Sequence, residues 1–210
     1  IGGLYSSTAT ISVLARKSRK ASEQEATDYV AAMLLAVSMM FLRFMILILI
    51  FSREIFLSIY PYLLTMAVVA AIVAWFIHSR QKRPEDQPAE TEEDDSSNPL
   101  EFKVALIFAV LFVIFTFLTH YTLVYAGTGG LNLLSFVSGF SDITPFILNL
   151  LQNTGSVAAL IITACSMQAI ISNIMVNMFY ALFFAGKGSK LRPWILGGFG
   201  VVIACNLVLL

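Results

Sequence analysis

Residues 28–51 read DYVAAMLLAVSMMFLRFMILILIF. After Asp28 the stretch carries a single charge, Arg43, among Leu, Ile, Met, Phe, Ala and Val. A helix that crosses a bilayer needs about 20 mostly apolar residues, and this stretch provides them. The rest of the chain repeats the pattern. Of its 210 residues, 58% are hydrophobic and 12% are charged. Mean hydropathy is +0.83. Soluble domains average about 45–50% apolar and about 25% charged, so a soluble core of this size cannot hide so much apolar surface. The composition excludes a disordered chain, a nucleic-acid binder and an ordinary soluble enzyme. The fold class is therefore all-α: a polytopic transmembrane helix bundle of about seven membrane segments. The apolar runs are unbroken, whereas barrel strands alternate every second residue.

Outward from that stretch the segments fall into order. Helix A covers Gly2 to Ala15, B Asp28 to Phe51, C Ile55 to His78 and D Phe102 to Tyr125. Helix E covers Gly130 to Leu151, F Ser156 to Ala185 and G Pro193 to Leu210. The connector Arg16 to Thr27 is polar and charged. Residues 80–99 hold PEDQPAETEEDDSSNP, without apolar residues for a core, and read as a flexible linker. Gly186 to Arg192 is a short basic loop. One side of the membrane collects eight Lys and Arg (Arg16, Lys17, Arg19, Lys20, Arg80, Lys82, Arg83, Lys103), and the other collects four (Arg53, Lys187, Lys190, Arg192). By the positive-inside rule the acidic linker faces the cytoplasm, in a multi-pass protein of the cell inner membrane. The sequence has neither Met nor a signal peptide at its start and reads as a piece of a longer chain.

Gly3-Leu4-Tyr5-Ser6-Ser7-Thr8 can be laid on Gly139-Phe140-Ser141-Asp142-Ile143-Thr144, and Ala36-Val37-Ser38-Met39 on Ala164-Cys165-Ser166-Met167. Helices A, B and C then match E, F and G, leaving D without a partner. A parallel internal repeat follows, with an axis along the membrane normal. It divides the chain into residues 1–80, a first unit lacking its first helix; 81–99, the acidic linker; and 100–210, the second unit. Repeats of this kind are common in transporters and place the binding site near the midplane.

Arg43 and Asp142 lie deep in apolar runs. A charge there costs roughly 2.5–3.5 kcal/mol on insertion scales. Arg43 is about 12 Å from the end of helix B and can snorkel. Asp142 is about 18 Å and about 15 Å from the two ends of helix E. Around it, Ser138-Gly139-Phe140-Ser141-Asp142-Ile143-Thr144-Pro145 reads as a disturbed helix. Pro145 removes a donor and clashes with the carbonyl of Ser141. Helix A carries Ser6, Ser7, Thr8, Thr10 and Ser12, which either pack tightly or line a polar path. On helix F, Gln168, Ser172 and Asn173 share one face, with Asn177 beyond. The candidate ion- or substrate-binding set is Asp142, Arg43, Ser6, Ser7, Thr8, Thr144, Ser38, Gln168 and Asn173. Asp142 is expected to face the bundle interior and to touch Ser6, Ser38, Arg43 or Gln168.

Cys165 and Cys205 read as small buried hydrophobes, and the methionines as gap fillers. His78 and His120 sit near helix ends. The sequence has no P-loop, zinc spacing, GxSxG or dinucleotide fingerprint. No catalytic residue, metal or cofactor is expected.

GGLYSSTAT, then ARKSRK, MFLR in helix B and SGFSD in helix E together resemble a known family. It is the prokaryotic integral membrane domain of unknown function often found C-terminal to an MgtC/SapB-type domain. The resemblance covers essentially the whole chain and implies a polytopic inner-membrane domain preceded by further helices. In the family pattern helix E often carries a second acidic residue two positions after the first, where this chain has Thr144. Helix F often reads Ser-Asn-x-x-x-Lys, where this chain has Ser172, Asn173 and then Asn177.

The leading reading is a transporter or channel for an ion or small solute, with a midplane polar site around Asp142. The alternative is a non-transporting structural or regulatory membrane subunit in which Arg43 and Asp142 tie helices together. The expected partners are the lipid bilayer, a small ion or solute and a second copy in a homo-oligomer.

Overall fold

The computed structural model describes residues 6–19, 23–79, 99–153, 157–185 and 191–209. Among them it has seven helices and no strand. These are α1 (Ser7–Ser18), α2 (Glu23–Phe51), α3 (Arg53–Ser79), α4 (Pro99–Ser138), α5 (Thr144–Gln152), α6 (Ala159–Ala185) and α7 (Arg192–Leu209). Four stretches are long and apolar enough to cross a membrane: Thr27–Phe51, Arg53–Ser79, Ala109–Ser138 and Ala159–Ala185. The protein is a helical membrane protein. Large apolar side chains such as Ile50, Trp75, Phe117 and Phe183 are exposed on its outside, where lipid covers them.

α2 and α3 form a tight antiparallel hairpin. Only Ser52 separates them, and its hydroxyl accepts from the Ile55 amide at 3.4 Å, so one residue ends one helix and caps the next. The register is pinned twice. The Ser38 hydroxyl donates to the Ala67 carbonyl at 2.9 Å in the middle, and His78 meets Asp28 at 2.8 Å at the open end. Ala67, Ala70 and Ala74 are buried on α3 and let the neighbouring helices approach.

α7 lies against this hairpin. A Cβ at Gly198 would fall 2.7 Å from Leu34 and 3.2 Å from Ile77, so the missing side chain is what admits α7. The Tyr62 hydroxyl donates to Asn206 Oδ1 in the same contact, where both residues are buried. A Tyr62→Phe variant leaves that buried acceptor unfilled. It should lose about 1–3 kcal/mol, read as a lower unfolding temperature in detergent; an unchanged temperature would refute the pairing.

α4 holds two arms, 99–126 and 128–138, joined at Gly127 with φ 58° and ψ −146°. That left-handed backbone is open to glycine at little cost. The separation expected between helices D and E is therefore present, although the arms meet without a loop.

Helix E departs from expectation. It is not one span from Gly130 to Leu151 but stops at Ser138 and restarts at Thr144. Pro145 is the reason, and its effect differs from the expected clash inside a continuous helix. It sits in the first turn of α5, where a missing amide costs nothing, and the clash with Ser141 does not arise because Ser141 is outside any helix. Helix A also shifts: it starts at Ser7 and runs on through Arg16 and Lys17, so much of the expected polar connector is helical. The acidic linker lies outside the described residues.

Packing sets the position of the break. α1 packs on α2 and α6; α5 packs on α4, α2 and α6; α3 packs on α6 and α7. The two short helices thus lie against the same two long ones. Phe41 and Phe44 of α2, Phe146 of α5 and Phe199 of α7 are fully buried in the shared core.

Candidate functional site

The break at residues 139–143 lies at mid-depth. Asn173 of α6 bonds to it and stands about 21 Å and about 18 Å from the two ends of that helix. At such depth every freed backbone group needs a partner from the protein or from water in a cavity.

α6 provides the partners. The Ser172 hydroxyl donates to the Phe136 carbonyl at 2.6 Å. Asn173 Nδ2 donates to the Gly139 carbonyl at 3.1 Å and to the Ser141 carbonyl at 3.4 Å. Shortened bonds finish the arm of α4, from Phe140 N to Val137 O at 3.1 Å and from Ser141 N to Ser138 O at 3.0 Å. Gly139 makes the approach of α6 fit. A Cβ there would sit 2.2 Å from Ser172 Oγ and 2.8 Å from the Asn173 amide nitrogen.

Asp142 occupies the other side of the break. Its Oδ1 accepts from the Thr144 amide at 2.9 Å and from the Thr144 hydroxyl at 2.7 Å. This is an Asx turn, and it sets a carboxylate at the N-terminus of α5, where the helix dipole favours negative charge. Arg43 reaches across from α2. Its Nη2 donates to Thr144 Oγ1 at 2.6 Å and stands 3.7 Å from Asp142 Oδ1. The Arg43 side chain is 18% exposed and that of Asp142 is 34% exposed. The carboxylate is the more accessible of the two charged groups.

Four of the nine sequence-derived candidates meet here. Asp142, Arg43 and Thr144 form one cluster, and Asn173 joins it through the carbonyls of the break. The expected contact between Asp142 and Arg43 is present. The other five are held elsewhere. Ser38 bonds across the α2–α3 hairpin. Gln168 accepts from Ser135 of α4 at 3.1 Å. Ser6 caps α1 by accepting from the Ala9 amide at 3.3 Å. Ser7 is buried in the first turn of α1. The Thr8 carbonyl accepts from Ser12 at 2.8 Å.

Gln168, Ser172 and Asn173 all turn toward α4, as their shared face implies. Two contributors were outside the sequence-derived set: Gly139, as the glycine of closest approach, and Ser172, as a donor to the break. Their signals were present, a glycine beside a proline-started helix and a serine adjoining Asn173. The buried Tyr62–Asn206 pair had no such signal, because its members are 144 residues apart.

The chain is similar to a known protein over its full length. A protein of Aquifex aeolicus (strain VF5) that carries the name "Uncharacterized protein" is 24% identical over 215 residues, which span 100% of this chain and 90% of the relative. No solved structure matches. The match that covers residues 1–185 is to DUF4010, described as a domain of unknown function, and the chain therefore belongs to the DUF4010 family.

Proposed function

We propose that this membrane protein is a transporter or channel for an ion or small solute, with its site at the break between α4 and α5. One observation carries the reading: the chain breaks between α4 and α5 beside the middle of α6, and a partly exposed carboxylate, Asp142, lies in the break next to Arg43 and Thr144. Intramembrane charge is costly and is concentrated on solute and ion paths. Broken helices that line a cavity are the common construction of such sites in transporters. Asp142 binds the solute, Arg43 balances its charge, and Thr144 and the break carbonyls offer neutral ligands.

The reading extends to the chain as a whole. The inner membrane is its location, with the acidic linker in the cytoplasm, and no chemical transformation is assigned to it. The association with an MgtC/SapB-type domain rests on the GGLYSSTAT resemblance. The two-unit repeat is supported by the packing of α1 and α5 on the same pair, α2 and α6, and gives two bodies that rock about the site.

Solute flux in proteoliposomes tests the proposal. Asp142→Asn keeps an oxygen that accepts from Thr144 but removes the charge. It should reduce flux at least about tenfold, while stability falls by only about 1 kcal/mol from leaving Arg43 without its opposite charge. Equal flux in the two proteins would defeat the reading. It would favour the second one, a structural or regulatory subunit, which the existing bonds of Asp142 to Thr144 and Arg43 already support.

A further inference from the structure

Asn177 is fully buried in α6, and its Oδ1 has no hydrogen-bond partner among the described residues. The orientation of its amide is dictated by its neighbours. Asn173 must point Nδ2 at the carbonyls of Gly139 and Ser141, which are acceptors only. That leaves Asn173 Oδ1 as an acceptor, and Asn177 fills it with Nδ2 at 3.1 Å. Flipping Asn177 would set two oxygens against each other. The unfilled oxygen is therefore a consequence of the way α6 holds the helix break. A buried acceptor left unfilled costs about 1–3 kcal/mol, so a group that fills it is favoured.

Ser166 repeats the feature on the same face. It is seven residues from Asn173 and eleven from Asn177, close to two and three turns. It too is fully buried, and its hydroxyl has no partner among the described residues. One buried face of α6 thus carries, in order, a free hydroxyl, the amide that clamps the break, and a free amide oxygen.

Neutral oxygens line the break that Asn173 clamps. The negative end of the first helix, which ends at Ser138, and the positive end of α5 meet there and offset each other. The carbonyls of Gly139 and Ser141 each have a second lone pair after bonding to Asn173. These are hard, neutral oxygens, which suit alkali ions. Among the described residues no group of three His, Cys, Asp or Glu gathers anywhere, so the carboxylate-rich shell that a calcium ion prefers is not offered. The one carboxylate of the break is already balanced by Arg43.

We propose that Asn177 Oδ1 is a ligand of a dehydrated monovalent cation of the alkali class, bound between α6 and the helix break. The inference rests on the transport reading and names the class of ion that the site handles. Asn173 acts as the positioning residue, since it fixes both the break carbonyls and the direction of Asn177.

Thermal unfolding of the purified full chain in detergent, titrated with NaCl or KCl against choline chloride at constant ionic strength, tests it. Binding to the folded state alone raises the unfolding temperature with ion concentration. One of the two alkali salts should give a saturable rise that choline does not give. Asn177→Leu should raise the half-saturating concentration about tenfold. Asn149→Leu, an amide change at the α4–α5 contact, should leave it unaltered. If Asn177→Leu does not fold, Asn177→Thr keeps an oxygen at a shorter reach and should change the order of Na+ and K+. No alkali-specific rise in the wild type, or the same half-saturation in the Asn177 variants, would overturn the proposal. Flux that depends on Asp142 but is joined to a cation-indifferent unfolding temperature would leave the transport reading standing and remove this one. A cation-dependent rise that needs Asn177, in a protein without flux, would do the reverse.

Discussion

A Gly139→Ala variant should unfold well below the wild type in detergent, with a loss of about 3 kcal/mol, near the upper end for an overpacked core. The new methyl carbon would lie 2.2 Å from Ser172 Oγ, 2.5 Å from Ser172 Cβ and 2.8 Å from the Asn173 amide nitrogen. The hydroxyl can rotate away. The backbone nitrogen of a buried helix cannot, so α6 and the arm of α4 must separate. Separation stretches the bonds from Ser172 to Phe136 and from Asn173 to Gly139, and leaves carbonyls unfilled at mid-membrane depth. Gly197→Ala is the matched control. A Cβ at Gly197 meets nothing within 4 Å, and alanine in a helix is favoured over glycine by about 1 kcal/mol. That variant should be as stable as the wild type or slightly more so. Equal unfolding temperatures for the two variants would mean that α4 and α6 do not touch at Gly139.

The second large effect concerns Arg43. Arg43→Met keeps an unbranched apolar stem but removes the donor to Thr144 and the charge opposite Asp142. Truncating one partner of a fully buried pair costs about 3–5 kcal/mol. Asp142 is a third exposed and the charged atoms are 3.7 Å apart, so solvent screens part of that, and about 2 kcal/mol is expected here. The diagnostic is non-additivity. With Asp142→Asn already in place, no carboxylate is left uncompensated, and Arg43→Met should then cost about 1 kcal/mol less than it does alone. Unfolding temperatures of the wild type, the two single variants and the double variant supply the cycle. Strict additivity would show that the two charges do not sense each other.

Both predictions act on one helix break, and parts of it are legible in the sequence. The membrane class followed from uninterrupted apolar runs, because the length of such a run is a local property set by bilayer thickness. Gly139, Asp142 and Pro145 were visible as a disturbance for the same reason: glycine, proline and intramembrane charge carry meaning wherever they occur. What they implied locally was a disturbed helix. Whether a proline kinks a helix or starts a new one depends on whether the residues before it find other partners. Here Ser172 and Asn173 provide them, and the helix stops at Ser138.

The roles of Ser38 and Gln168 were harder to read. Counting about 1.5 Å per residue along the helices places both close to the depth of Asp142, but depth alone does not say toward which neighbour a side chain turns. Ser38 turns to α3 and Gln168 to α4. Asp142 instead meets Arg43, five residues beyond Ser38 on α2, because an arginine side chain is long enough to cross the difference.

By itself the sequence determined the helical membrane class, the two intramembrane charges and the place where helix E would be disturbed. All of these depend on composition and spacing within one segment. Only the tertiary structure decided that the disturbance is a full break, that Arg43 reaches Thr144 from 101 residues away, and that the Asn177 oxygen is left unfilled. Those outcomes depend on which helix faces pack together and on the direction of each hydrogen bond between them. Spacing along a single helix does not encode either one.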